Sequence, residues 1–308
     1  MAFDKLEVMR AFCRIVETGN FKKASDTLNI ASTTLSGQIQ SLETYLGIKL
    51  LHRTTRKVFP TVDGLQYYRQ ILPLLDELDE INQEIQQQHS ISGLLKLELP
   101  SPVADFLIVP NLPSFLAKYP QLRVEIGSSE RISDLMTEGV DCAVRGGVIT
   151  DDNLVAKMIG KMPFCLCATA NYLQLHPPIH TVQDLQKHDY LAFKFASTGK
   201  IAKVIVDDTS KTQVIDGHLF HGSPKQTYNN AQTYYQAILA GLGIGYVPLA
   251  FAMPYLKKGD LVEVLTDYPL QAMPISFVYY YSGYIPKRVK VFREWLDELI
   301  LEHPLWQI

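Results

Sequence analysis

The sequence predicts an α/β chain made of a small, mostly helical head and a larger body of two α/β lobes. Three observations carry that reading. Apolar residues recur at helical spacing through roughly the first 90 positions. From residue 93 onward strand-like runs alternate with helical ones, the pattern of mostly parallel sheets covered by helices. Charge divides the same way: residues 1–70 hold ten Lys/Arg against six Asp/Glu, and the remainder nineteen against twenty-six. A basic head on an acidic body points to a polyanionic partner for the head alone.

In the head, Leu6, Met9, Phe12, Cys13 and Val16 predict an amphipathic helix over residues 4–17, closed by Gly19. Asn20 is read as the N-cap of a second helix over residues 21–29. Asn29 and Ile30 make a short turn, and Ser32 is read as the cap of a third helix that Gly47 ends. Leu35, Ile39, Leu42 and Leu46 share one face of it. With Ala24, Leu28 and Ile30 they form the small core of a helix-turn-helix. The other face carries Ser32, Thr33, Ser36, Gly37 and Gln40, with Thr34 at its start. Short polar side chains there suit approach to base edges in a major groove.

Lys49, Arg53, Arg56 and Lys57 follow in a stretch without an acid. Alone it reads as a solvated basic loop. Beside the helix-turn-helix it reads as a wing, with Arg53 and Arg56 near the phosphate backbone. Then Leu65, Tyr68, Leu72, Leu75, Leu78, Ile81 and Ile85 nearly make a heptad seam. The seam predicts a dimerising helix, with Leu65, Tyr68, Leu72 and Leu75 as its contacts. Pro73 should bend it or divide it. Ser90 to Gly93 is the expected hinge.

In the body, LLKLELP, LRVEIGSS and VDCAVRGG read as strands, with helices over residues 103–118 and at ISDLMTEG. LVAKMIGKMPFCLCAT is a long extended stretch. YLAFKF, KVIVD, VIDGHLF, IGYVP and PISFVYYYS are later strands. TYNNAQTYYQAILAGLG and PKRVKVFREWLDELILEH are helices. Crossovers between the two lobes are expected near 163 and 268.

Two segments resemble the LysR-type family of transcriptional regulators. The first is FKKASDTLNIASTTLSGQIQSLETYLGIKLLHRTTRKVFPTVDG, through Ala24, Leu28, Ser32, Leu35, Ser36, Ile39, Leu42, Glu43, Leu46, Gly47, Leu50, Arg53, Thr61 and Gly64 in one register. The second is GVDCAVRGGVITDDNLVAKM followed by ATANYL and AGLGIGYVP. The resemblance spans essentially the whole chain. It implies a winged helix-turn-helix over residues 1–63, a linker helix over 64–90 and an effector-binding domain over 91–308. That domain would resemble periplasmic binding proteins, with lobe I at 91–163 and 268–308 and lobe II at 164–267. It also implies a homodimer or homotetramer on promoter DNA, regulated by a small-molecule effector, with room for contact to the transcription machinery. Gly37 departs from the family, which usually has a larger residue there; glycine also costs roughly 1 kcal/mol of helix propensity.

Ligands of such folds bind beyond strand ends and near helix starts. That logic selects Ser101, Pro102, Ser128, Ser129, Arg145 and Gly146 from the first lobe, and Thr198 and Tyr228 from the second. The hydroxyls and Arg145 lead us to expect an anionic effector; pairing of Arg145 with an acid such as Asp141 is the competing reading. No cofactor and no metal are expected, because the eight histidines are scattered and the four cysteines lack ligand spacing. No catalytic constellation is legible, so an enzyme on the α/β lobes is not expected. A metabolite-binding protein without a regulatory role is the alternative, opposed by the first 90 residues. The N-terminus carries no basic and apolar leader pattern and no run reaches a membrane span, so a cytoplasmic protein without membrane partners is expected.

Overall fold

The computed structural model describes residues 4–53, 58–85, 91–129, 134–135, 138–196, 198–208, 211–215, 225–280 and 284–307. In the head, helix starts are fixed by side chains a few residues from their partners. Asp4 accepts from the backbone N–H groups of Leu6 (3.0 Å) and Glu7 (3.3 Å) and opens α1 (Lys5–Thr18). Asn20 does the same for Lys22 (2.8 Å) and Lys23 (3.1 Å) at α2 (Phe21–Leu28). Asn29 ends α2 at φ 55°, a left-handed turn that asparagine tolerates better than most residues. The third helix, α3 (Ser32–Leu46), corrects one expectation. Its N-cap is Ala31, and Ser32 does not cap it. The Ser32 hydroxyl lies 2.8 Å from that of Ser25 and ties α3 to α2.

A hairpin of β1 (Leu51–Arg53) and β2 (Val58–Pro60) follows, pairing Leu51 with Pro60 and Arg53 with Val58. Then α4 (Val62–Ile85) runs through Pro73 as one helix. The missing N–H costs one ladder bond, but α4 is held along its length. Tyr68 and Leu75 enter the head core with Phe12, Ile15, Leu35 and Ile39, and Asp79 takes both guanidinium nitrogens of Arg10 at 2.6 and 2.5 Å.

This corrects the seam expected on α4. Tyr68 is 1% exposed and Leu75 5%, because both pack within their own head. Leu72 packs against the same core and Leu65 is half-buried. Beyond Val62 at its start, α4 leaves open Leu74 (61%) and Ile81 (45%), seven residues apart and so on one face. Residues 86–90 lie outside the described residues, and with them Ser90, the first residue of the expected hinge.

The body contains two five-stranded sheets. Its elements are β3 (Gly93–Leu99), α5 (Ser101–Val103), a π-helical turn over Ala104–Ile108, α6 (Val109–Lys118), β4 (Leu122–Ser128), β5 (Cys142–Gly146), β6 (Leu154–Met162), β7 (Phe164–Thr169), α7 (Ala170–Gln174), β8 (Tyr190–Phe193), β9 (Val204–Asp208), β10 (Lys211–Ile215), β11 (Gln226–Tyr228), α8 (Ala231–Leu239), β12 (Ile244–Pro248), α9 (Leu249–Lys258), β13 (Leu261–Val264), β14 (Met273–Tyr280) and α10 (Lys287–Glu302). The first sheet has the order β4-β3-β5-β14-β6 and the second β11-β8-β12-β7-β13, while β9 and β10 form a separate antiparallel pair. The chain leaves the first sheet between Met162 and Phe164 and returns between Val264 and Met273.

Both sheets are mixed, which corrects the expectation of mostly parallel ones. In the first, β3 pairs β4 and β5 in parallel, but β14 runs antiparallel to β5 and β6. In the second, β8 pairs β11 and β12 in parallel, whereas β7 runs antiparallel to β12 and β13. The antiparallel members β7 and β14 are the strands entered directly from the other lobe. They arrive without the helical crossover that parallel pairing requires. The ISDLMTEG segment is a turn where it is described, and residues 216–220 of the expected VIDGHLF strand lie outside the described residues. Helix α9 and strand β13 had no counterpart among the expected elements.

Candidate nucleic-acid interface and effector cleft

On α3, residues 32, 33, 34, 37 and 40 are exposed and Ser36 is half-buried. One side of the helix therefore offers short polar groups to solvent while Leu35, Ile39 and Leu42 are fully buried on the other. The backbone of Arg53 lies in β1; Arg56 lies outside the described residues.

A buried carboxylate that the polar-face reading overlooked holds this pair of elements together. Glu43 accepts from the backbone N–H groups of Leu50 (3.0 Å) and Leu51 (3.2 Å), and from the Lys49 ammonium at 2.8 Å. Burial pushes its carboxyl up, but Lys49 and the two N–H groups outweigh that and hold it below the ordinary value. The wing is closed from the far side by Thr61, whose hydroxyl donates to the Lys49 carbonyl (2.7 Å) and accepts from Gly64 N–H (2.9 Å). Gly64 must be glycine, since a Cβ would stand 1.9 Å from the Leu50 carbonyl oxygen. These contacts give Glu43, Thr61 and Gly64 a physical reason for their places in the motif.

Head and body meet around Arg288. This α10 side chain donates to Asp141 on the first lobe (2.7 Å) and to Asp76 on α4 (2.9 Å), and is 17% exposed. Asp141 also accepts from Lys96 N–H at 2.9 Å. Burial alone would lower the Arg288 pKa; the two carboxylates raise it above its ordinary value. For Asp76, burial pushes the carboxyl up and Arg288 opposes it, with burial prevailing. Asp141, the acid offered for Arg145 in the competing reading, pairs with Arg288, and the acids that act on Arg145 are Asp151 and Asp134.

Between the two sheets lies a cavity of about 460 Å³. Pro102, Ser129, Arg145 and Gly146 line it, as the strand-end logic anticipated. Ser101 and Ser128 stand beside the lining and bond to each other at 3.4 Å. Thr198 and Tyr228 are not part of it. The Thr198 hydroxyl accepts from Lys200 N–H, and Tyr228 donates to Gln226 and packs on Tyr234. These two reside on neighbouring segments of lobe II, so proximity to a strand end did not bring them to the cavity.

The lining residues that the strand-end logic missed include six rings, Phe164, Phe193, Phe195, Tyr234, Tyr235 and Tyr246, all from the second lobe. Glu98 from β3 joins them. The alternation of Phe193 and Phe195 and the pair Tyr234–Tyr235 were visible in sequence, but nothing local says which ring faces a cavity. Phe106, at the π-helical turn, crosses to the second lobe and packs on Tyr235 (6.5 Å) and Phe251 (6.3 Å). Among the described residues no group of His, Cys, Asp or Glu is arranged to hold a metal, and the four cysteines are free and buried. No helix among them is long and apolar enough to cross a membrane.

A helix-turn-helix with a wing, joined to two α/β lobes around an apolar cavity, defines a ligand-responsive DNA-binding regulator. The chain belongs to the LysR family. Residues 6–65 match the bacterial regulatory helix-turn-helix protein, lysR family, and residues 88–300 match the LysR substrate binding domain. It is 31% identical to the HTH-type transcriptional regulator YhjC of Escherichia coli K12, over 97% of this chain and 99% of that protein. The full-length virulence activator AphB of Vibrio cholerae superposes with a TM-score of 0.57 at 27% identity, over 96% of this chain and 99% of that one. CrgA of Neisseria meningitidis superposes with 0.58 at 27%, over 95% and 97%. The chain is thus a LysR-type transcriptional regulator with a DNA-binding head and an effector-binding domain.

Proposed function

We propose that the head, residues 1–63, reads promoter DNA through α3 and its wing, and that the two lobes of residues 91–308 control it by binding a small effector between them. The observation that carries the reading is the exposed polar side of α3, set beside the wing by Glu43. Ser32, Thr33, Thr34, Ser36, Gly37 and Gln40 approach base edges, and Arg53 and Arg56 approach phosphates. The protein acts in the cytoplasm as a homo-oligomer. The linker of residues 64–90 supplies a contact, with Leu74 and Ile81 as its open apolar groups. The cavity is the effector site, lined by Pro102, Ser129, Arg145 and Gly146. The hydroxyls that suggested an anionic effector do not support that sign. Thr198 stands away from the cavity, and Ser129 donates to Glu98.

An effector can switch the protein only if it binds two arrangements of head and body unequally; a tenfold preference corresponds to about 1.4 kcal/mol. Arg288 lies where such a difference would be felt, bridging α4 and the first lobe. A gel shift with the DNA upstream of the protein's own gene tests the reading. Specific retardation that competitor DNA of unrelated sequence does not remove is expected. Retardation that any DNA removes equally would leave only a non-specific polyanion binder.

A further inference from the structure

We infer that the cleft takes a protonated amine carried on a flat aromatic body. The inference rests on the cleft being the effector site and names the chemistry of its ligand. The two walls of the cavity differ. The second lobe supplies rings: Phe164 stacks on Tyr246 (4.5 Å, 20°), and Phe193 lies against Phe195 (5.7 Å) and Tyr234 (5.5 Å). Ring faces are electron-rich, so such a wall attracts a flat apolar body by offset stacking and a cation by its charge. The Tyr234 hydroxyl is occupied. It donates to the Tyr246 carbonyl (3.2 Å) and accepts from the Tyr246 N–H (2.8 Å), so it offers no proton to an anion.

The first lobe supplies the polar rim. Glu98 accepts one hydrogen bond, from the Ser129 hydroxyl at 2.9 Å, and has no ion-pair partner among the described residues. Ser129 gives Glu98 its hydroxyl proton. The carboxylate lies over Gly127, where a Cβ would stand 2.1 Å from Glu98 Oε2. Arg145 shares the rim, but Asp151 and Asp134 act on its charge. Lys203 is exposed and solvent-screened. An ammonium has three donors and no acceptor. It matches the Glu98 carboxylate and the ring faces together. A ligand carboxylate would meet a like charge at Glu98 and the negative faces of the rings.

The test is calorimetry and thermal shift on the full chain with 2-phenylethylamine, phenylacetate and succinate, in the wild type, Glu98→Gln, Phe193→Ala and Thr150→Trp. Thr150 is an exposed lining residue, so the last variant narrows the cleft without touching a core. The amine is expected to bind ahead of phenylacetate, and succinate not to bind. Glu98→Gln should weaken the amine about tenfold or more and leave phenylacetate no weaker. Phe193→Ala should weaken both phenyl compounds. A wild type that does not bind the amine, or that binds either acid better than the amine, overturns the inference. If Thr150→Trp abolishes that acid's binding, the cleft reading survives and only the ligand class falls. Binding that Thr150→Trp leaves untouched overturns the cleft reading itself.

Discussion

The head and the cleft use polar side chains in opposite ways. In the head the polar groups that cap the helices and close the wing serve backbone close to them in sequence. Asp4 and Asn20 serve positions two and three residues on, Glu43 positions seven and eight residues on, and Thr61 a carbonyl twelve residues back. In the cleft and at the head–body contact the partners are distant: 31 residues separate Ser129 from Glu98, and 147 separate Arg288 from Asp141. A head built this way carries its geometry in a short register, so its sequence changes little without loss of shape. A cleft assembled at long range can change its chemistry while the sheets beneath it stand.

The largest effect expected on the head follows from Gly64. Gly64→Val would drive a branched side chain into the Leu50 carbonyl, backbone that cannot move without opening the wing. Operator binding should be lost while binding of ligands in the cleft persists, read by fluorescence anisotropy and calorimetry on the same sample. Loss of both together would show that head and cleft are not separable.

The contact between the two regions comes next. Arg288→Ala leaves Asp76 and Asp141 facing each other with little water. Removal of one partner from so buried a network costs roughly 3 kcal/mol, measurable as a lower urea midpoint. Arg288→Ala should also break the dependence of operator affinity on cleft occupancy. An unchanged ligand effect on operator affinity would mean that coupling runs elsewhere.

Glu43 gives a smaller effect with a pH signature. Its folded-state pKa lies below the ordinary value of 4.5. Its contribution is therefore complete above that value and is lost as pH falls through the lower, folded one. Glu43→Gln should cost about 1–3 kcal/mol at neutral pH and should flatten the acid limb of the melting profile of the head. An acid limb that stays as steep as in the wild type would remove Glu43 from the account.

The same contrast explains what the sequence disclosed. Leu35, Ile39 and Leu42 at helical spacing, with Asn20 and Gly47 as punctuation, define the helix-turn-helix because each signal acts within a turn or two of itself. The strands of the first sheet were legible for the same reason, as were β7, β8 and β12 of the second. The seam on α4 was misplaced because its apolar spacing fits two burials equally, against a partner or against α1, and only packing decides; Tyr68 and Leu75 went to α1. Ser32 sits where a cap belongs, yet Ser25, seven residues earlier, claims its hydroxyl. In the cleft, strand-end logic found Ser129 and Arg145 but not Glu98 or the six rings. A ring pattern such as Phe193 and Phe195 is indistinguishable in sequence from ordinary core. Thr198 and Tyr228 failed for the converse reason: a loop near a strand end still has to turn toward the cavity.

The salt dependence of operator binding separates base reading by α3 from phosphate contact by the wing. Affinity would be measured across a salt series for the wild type, Arg53→Ala and Thr33→Ala, on the operator and on a scrambled duplex. Arg53→Ala should weaken binding to both duplexes and lower the slope of log affinity against log salt by about one. Thr33→Ala should keep the slope and narrow the preference for the operator. An unchanged slope in Arg53→Ala together with an unchanged preference in Thr33→Ala would contradict the assignment of the DNA-binding face.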